Sequence, residues 1–347
     1  MKKKRRQGDL TPLTDILPGL HLEERPTPIQ KRLMDAAAFG AEQPDAQKLL
    51  YQHTVFCQTY LPYRNPGDEV REWERQNGNV HLEVRAGKAM HPEKRQLVKI
   101  GLPFGPKCRL VLMSINQLAV VKQSAHIEVE DSLTAFVRRI LNLDPKGRNI
   151  RQVKDQLTRL ASADMTLGLV TDSAEGTEAH TGYIRVVENF NVWLPKDANQ
   201  RVLWPSVIDL SPTYFNSLMQ YAVPLDEAHI AALSHSALAL DIYTWLAQRL
   251  HRIPIGKPAR ISWAALHNQF GQGYNSEHMY KFRQVFRVAL KEVLTVYQGA
   301  RIDDDDPKPP RIYSTQTGSL VWREKPAKGL TLHHSPPPVR KLLLVNG

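Results

Sequence analysis

Residues 276–296 read SEHMYKFRQVFRVALKEVLTV. Projected at about 100° per residue, they separate into two faces. Phe282, Val285, Phe286, Ala289, Val293 and Val296 gather on one side, and Tyr280, Arg283, Gln284, Arg287 and Lys291 on the other. The cations at 283, 287 and 291 recur every four positions, so their side chains stack along one face. Arg, Lys and Gln on such a face reach base edges and phosphates when a helix lies in a DNA major groove. An amphipathic helix with a solvated basic face has the same pattern, and this helix alone does not separate the two readings.

The segments before it set a context. Ser236 caps an expected helix over 237–250, and Arg260–Ile261 reads as a short strand. Ser262 caps a helix over 263–270, Gly271 and Gly273 make a turn, and Ser276 caps the basic helix, with Glu277 near its positive end. Short strands are expected at 300–302, 311–313 and 319–322, with the acidic, proline-rich run DDDDPKPP (303–310) among them. This unit begins with helices over 211–221 and 225–234, after a strand over 204–210.

The same order occurs earlier in the chain. An apolar helix over 107–121 starts after Pro103 and Pro106, followed by a strand at 126–129 and a helix over 133–141 ending in Arg138 and Arg139. After a turn at 142–147, Asn149 caps a helix to about 161. Ile150, Val153, Leu157 and Leu160 face one way, and Arg148, Arg151, Gln152 and Arg159 lie on the far side. Strands are expected at 165–170 and 182–194, joined by a polar loop at 171–181. Helix, strand, helix, turn, basic helix and strands is the order of a winged helix-turn-helix. The expected fold class is therefore α+β, with tandem winged helix-turn-helix domains.

Ahead of both units, residues 45–60 read as a helix stopped by Pro62, and 79–86 with 96–102 as a β-hairpin. Residues 1–44 hold five prolines and little periodicity outside 29–39, which predicts a mobile leader with one short helix. The expected organisation is a leader (1–44), a first domain (45–200), a second domain (201–330) and an extended tail (331–347).

The 347 residues carry a formal net charge of +11, which favours a polyanionic partner, nucleic acid before acidic membrane. The basic start MKKKRR lacks the apolar run of a signal peptide, and no apolar stretch approaches the roughly 20 residues of a membrane span. Cys57 and Cys108 have no metal-like spacing and read as reduced thiols of a cytoplasmic protein. GxxxxGK[ST] and HExxH are absent, and His333–His334 lacks the alternating arrangement that puts two ligands on one side of a strand. No catalytic residue, cofactor-binding residue or metal ligand is expected. Trp204, Trp245 and Trp263 fit a core.

Six stretches, VFCQTYLPYRNPG (55–67), GLPFGPKCRLVLMSIN (101–116), GRNIRQVKDQLTRLASA (147–163), ISWAALHNQFGQGY (261–274), FRQVFRVALKEVLTVYQGARI (282–302) and HSPPPV (334–339), stand out among those that share one likeness. They resemble the RepA-type plasmid replication initiators. The resemblance spans roughly residues 50 to 340. It implies binding to repeated sites (iterons) in double-stranded plasmid origin DNA, local melting, and recruitment of the host replicative helicase and host initiator protein. It also implies copy-number control with a homodimer as the repressing form, in a bacterial cytoplasm. A repressor of the same fold without a replication role, and an origin-specific primase or nickase, are the alternatives. The helical faces, not the resemblance, make Tyr280, Arg283, Gln284, Arg287, Lys291, Arg148, Arg151, Gln152 and Arg159 the DNA-binding candidates.

Overall fold

The computed structural model describes residues 26–42, 48–128, 148–193, 204–304 and 329–339, less Asn79, Pro92, 174–175, Ile184, Gln272 and Asn275. It also describes Arg138 and strands at 311–314 and 319–322. The chain is a mixed helical and sheet protein, and its buried apolar residues form one cluster spanning both expected domains.

The first half includes the helices α1 (Pro28–Glu42), α2 (Gly105–Lys122) and α3 (Arg148–Ser162). Pro106 sits in the first turn of α2, where its missing N–H is no loss, and Gln123 ends the helix in a left-handed conformation. Val153, Leu157 and Leu160 of α3 are fully buried, as the periodicity predicts. Strand β6 (His126–Glu128) pairs with β10 (Trp204–Leu210), and β10 pairs on its other side with β9 (Val187–Trp193). The sheet order is β6-β10-β9.

The second half holds α4 (Pro212–Tyr221), α5 (Glu227–Leu233), α6 (Ala237–Arg249), α7 (Trp263–Phe270) and α8 (Met279–Val296). Ser211, Ser236 and Ser262 each accept a backbone N–H at the start of α4, α6 and α7. Strand β12 (Ala259–Ile261) pairs with β16 (Leu330–Leu332), which also pairs with β13 (Ile302–Asp304), giving the order β12-β16-β13. A separate hairpin, β14 (Arg311–Ser314) with β15 (Ser319–Trp322), lies between β13 and β16 in the chain.

The structure corrects several expectations. Residues 45–60 hold no α-helix among those described. Leu49–His53 is strand β1, followed by a 3₁₀ turn over Thr54–Cys57. It pairs with β11 (Ala222–Asp226), which takes the first residues of the expected 225–234 helix. Leu50 to His53 are buried on every side, so tertiary pairing overrides local helix propensity. The expected hairpin has its strands but not its pairing. β3 (Val80–Arg85) pairs with β2 (Glu72–Asn77), across a turn where Gly78 has a φ of 56°, and β5 (Gln96–Lys99) pairs with β4 (Lys88–His91). The loop expected at 171–181 is mostly strand. β7 (Asp164–Ser173) and β8 (Gly176–Tyr183) pair from Thr166–Tyr183 to Ser173–Gly176 and extend the β2-β3 sheet. The single strand expected over 182–194 is divided between β8 and β9, in two different sheets.

The expected domain borders do not coincide with the packing. β10 belongs to the sheet of the first unit although it follows residue 200. β1 and β11 join the two halves edge to edge. Helix α1 packs on α5 and α8 and buries Leu33, Ala36 and Ala37, so this part of the leader belongs to the fold. Residues 1–25 lie outside the described residues. The tail is likewise anchored at its start: Leu330, Leu332 and Ser335 are fully buried, and Pro336 O accepts the Tyr297 hydroxyl. Residues 340–347 lie outside the described residues, as does the helix expected over 133–141 apart from Arg138, which is helical and exposed. Ser276 opens a 3₁₀ turn through His278 rather than capping α8, which starts at Met279. Trp245 and Trp263 are core residues; the Trp204 side chain is outside the described set.

One buried group makes stability depend on pH. His53 Nδ1 accepts the Val55 N–H at 3.2 Å, so Nε2 carries the proton and donates to Ser217 Oγ at 2.9 Å. Burial lowers the His53 pKa to about 4. Its folded pKa lies below its unfolded value, so the stabilisation is complete above about pH 6.5 and is lost as pH falls through about 4. On the order of 3 kcal/mol is involved. Urea titrations of His53→Gln are expected to show a shallower fall in stability between pH 6.5 and 4 than wild type. Parallel curves would contradict the assignment.

Candidate nucleic-acid interface

Helix α8 presents an outward face that differs from the expected one by a small rotation. Phe282, Phe286, Ala289, Leu290, Val293 and Val296 are buried, while Val285 is 41% exposed and Val288 57% exposed. Leu290 draws the apolar seam toward itself and leaves Val285 outside. Trp263 of α7 fixes this seating, packing edge-on against Phe282 and Phe286 at centroid distances of 6.4 and 5.8 Å.

The expected α8 residues consequently fall into two groups. Tyr280, Gln284 and Lys291 are exposed, together with Lys281, which helical projection had not singled out. Arg283 and Arg287 lie at the flank. Their guanidinium carbons sit 5.8 and 4.8 Å from the Trp263 ring centroid. Arg287 Nε donates to Asp304 Oδ2 at 2.6 Å and its NH2 to Oδ1 at 3.2 Å, tying α8 to the end of β13. The acidic run thus supplies a structural partner through Asp304. Asp303 binds His333 Nε2 at 2.7 Å, whereas His334 Nδ1 bonds Ile253 O at 2.8 Å, so the two tail histidines serve different partners.

On α3 the structure brings Arg148, Arg151 and Gln152 together at the exposed first turn. It adds Lys107 from the start of α2, whose ammonium donates to Gln152 Oε1. Burial and then the neighbouring Arg148 charge lower the Lys107 pKa. Cations at a helix N-terminus oppose the macrodipole and destabilise the free protein, so the cluster suits an anionic ligand better than it suits stability. The sequence signal for Lys107 was only that GPK starts a helix, and pairing of α2 with α3 is what places it. Arg159 does not join the cluster. Its side chain is 14% exposed, donates to Asp155 Oδ2 at 2.9 Å and Leu102 O at 3.4 Å, and lies over Phe104. Asp155 shares the Arg148 face, so the positive field is concentrated at the N-terminal turn.

Elsewhere the described residues offer little chemistry. Cys57 and Cys108 are buried thiols, and burial pushes Cys108 up to about 12. Among the described residues no group of three His, Cys, Asp or Glu is arranged to hold a metal, and no helix is long and apolar enough to cross a membrane.

Residues 102–265 match the family described as plasmid encoded RepA protein. The match contains α3 and ends at the start of α7, before α8. Among curated proteins none matches the chain significantly. Two similar solved structures are of RctB. The selenomethionine derivative of its domains 2 and 3 has a TM-score of 0.43 at 10% identity, covering 68% of this chain and 82% of that one. The RctB domains 2–3 structure has a TM-score of 0.43 at 10% identity, covering 71% and 83%. The similarity to the family described as plasmid encoded RepA protein is thus carried by residues 102–265, from the approach to α2 to the start of α7.

Proposed function

We propose that the protein initiates plasmid replication by binding repeated sites in double-stranded origin DNA through two winged-helix units. One observation carries the reading. Each basic-faced helix belongs to a unit whose three-stranded sheet has the same order, with the last strand in sequence between the other two: α3 packs on β10 and β9 of β6-β10-β9, and α8 is tied through Arg287–Asp304 to β13 of β12-β16-β13. The first unit is α2, β6, the 133–141 segment, α3, β9 and β10, with β7 and β8 as an insertion. The second is α6, β12, α7, α8, β13 and β16, with β14–β15 in the position of a wing. In such units the second helix of the helix-turn-helix pair docks in the major groove and its N-terminal residues meet base edges. Arg148, Arg151, Gln152 and Lys107 serve this role in the first unit, and Tyr280, Lys281, Gln284, Val288 and Lys291 in the second. Gln284 suits adenine, Val288 the thymine methyl, and the lysines phosphates.

The protein acts without a catalytic centre of its own. Binding energy distorts the origin, and the host helicase and initiator protein are recruited to the opened DNA, with a homodimer as the repressing form. Footprinting across DNA flanking the gene tests this directly. Evenly spaced protected repeats, together with maintenance of an origin fragment when the protein is supplied in trans, are expected. A lone protected palindrome without maintenance would identify a repressor, and cleavage of supercoiled origin DNA would identify a nickase.

A further inference from the structure

The two-stranded ribbon β4–β5 has a face that the fold leaves unused. Lys88 stands opposite Lys99, and Met90 opposite Leu97. All four side chains point outward; Met90 is 53% and Leu97 60% exposed. Ala89, on the other face, is buried. Like charges directly opposite on an antiparallel pair destabilise it, and an exposed methionine–leucine pair gains nothing from water. The ribbon tip adds Lys94 and Arg95 beside Glu93, so the element carries four cations against one carboxylate.

The ribbon is nevertheless held firmly at its root. The Arg71 guanidinium donates to Ile100 O at 2.8 Å, Ala86 O at 2.6 Å and Gly87 O at 2.9 Å, and Ile100 N donates to Gly87 O at 3.1 Å. Both legs are thereby locked together. Gly87 lies so close to the last turn of α3 that a Cβ there would stand 1.7 Å from Ser162 O. The ribbon therefore springs from the C-terminal end of the same helix whose N-terminal turn carries Arg148 and Arg151. A rigid ribbon with a lysine pair and an apolar pair on one face fits the chemistry of a DNA groove, with cations on phosphates and apolar side chains against a base step.

We infer that Lys88–Lys99 is a second DNA-contacting element of the first unit. It would bind duplex DNA beside the sequence met by α3, placing Lys88 and Lys99 on phosphates and pressing Met90 and Leu97 against a base step that it kinks. The inference rests on the DNA-binding reading above.

The test uses the full chain, the Lys88→Gln/Lys99→Gln and Met90→Ser/Leu97→Ser double variants, and two duplexes. One is the wild-type-protected repeat alone, and the other is that repeat extended by about one helical turn on each side. The four positions are exposed, so urea curves should fall no lower than wild type. On the extended duplex the lysine variant is expected to reduce the slope of log K against log salt by about 1.8, the loss of two phosphate contacts. On the repeat alone its slope should match wild type. The serine variant is expected to abolish a bend of about 20–90° seen by circular-permutation electrophoresis. Wild-type slope and bend in both variants overturn the inference while leaving the initiator reading standing. So does a change confined to self-association in sedimentation, which would make the ribbon a contact between copies. Failure of the wild-type protein to bind either duplex would overturn both.

Discussion

Asp241→Ala is expected to lower unfolding stability by about 3–5 kcal/mol, because it leaves a fully buried guanidinium without its counter-charge. Arg109 Nε donates to Asp241 Oδ1 at 2.6 Å and its NH2 to Oδ2 at 2.7 Å. The same guanidinium donates to Leu61 O at 2.7 Å, Gly105 O at 2.9 Å and Pro62 O at 3.3 Å. Five bonds thus satisfy a charge that would otherwise be prohibitively desolvated. Burial pushes the Asp241 carboxyl up to about 6, and the Arg109 guanidinium pulls in the opposite direction. The pair joins α2 of the first unit to α6 of the second. Urea denaturation of wild type should therefore show one cooperative transition, and Asp241→Ala a lower midpoint or two steps. Arg109→Met/Asp241→Leu should recover much of the loss, since a packed apolar pair avoids the desolvation that the ion pair must offset. A single variant within about 0.5 kcal/mol of wild type would show that the pair does not hold the units together.

The second large effect concerns DNA affinity. Arg148→Ala/Arg151→Ala is expected to weaken repeat binding by roughly 1–3 kcal/mol for each residue that reads a base. Where a residue holds only a phosphate, specific and non-specific binding should fall alike, with the salt slope reduced by about 0.9 per residue. Gln284→Ala/Lys291→Ala is expected to act similarly from α8. Arg287→Ala is the informative contrast. Its bidentate partner is Asp304 and its ring partner is Trp263, so the expected result is a modest stability loss, roughly 0.2–1 kcal/mol, with a smaller effect on affinity than Gln284→Ala. Gel-shift titrations at several salt concentrations read all three. A larger affinity loss for Arg287→Ala than for Gln284→Ala/Lys291→Ala would place the DNA on the flank of α8 instead of its outer face.

Elements whose period matched their burial were legible in the residues alone. Helices α2, α3, α6, α7 and α8 have a one-sided or continuous apolar pattern, so their existence follows from spacing, and Ser236 and Ser262 mark the starts of α6 and α7. The basic character of the α3 and α8 faces is equally local, since residues three and four apart share a helix face whatever lies behind it. Strand partners were not legible. Alternation in Val80–Arg85 identifies a strand but says nothing of whether it pairs with β5, β2 or β7, because every antiparallel neighbour satisfies the same period. Leu49–His53 carries no period at all when buried on all sides, and it took β11, 169 residues further on at Ala222, to make it a strand.

The sequence by itself determined where two basic helices would form, which side chains share their outer faces, and that the chain carries excess positive charge. Only the tertiary structure decided which of those side chains remain available. Arg159 is drawn to Phe104 and Leu102 O, Arg287 to Asp304 and Trp263, while Lys107 and Lys281 join the two surfaces. The physical reason is one of range. Helical periodicity is set by hydrogen bonds four residues apart, whereas a cation's partner is whichever carboxylate, ring or carbonyl the packing brings within about 4 Å.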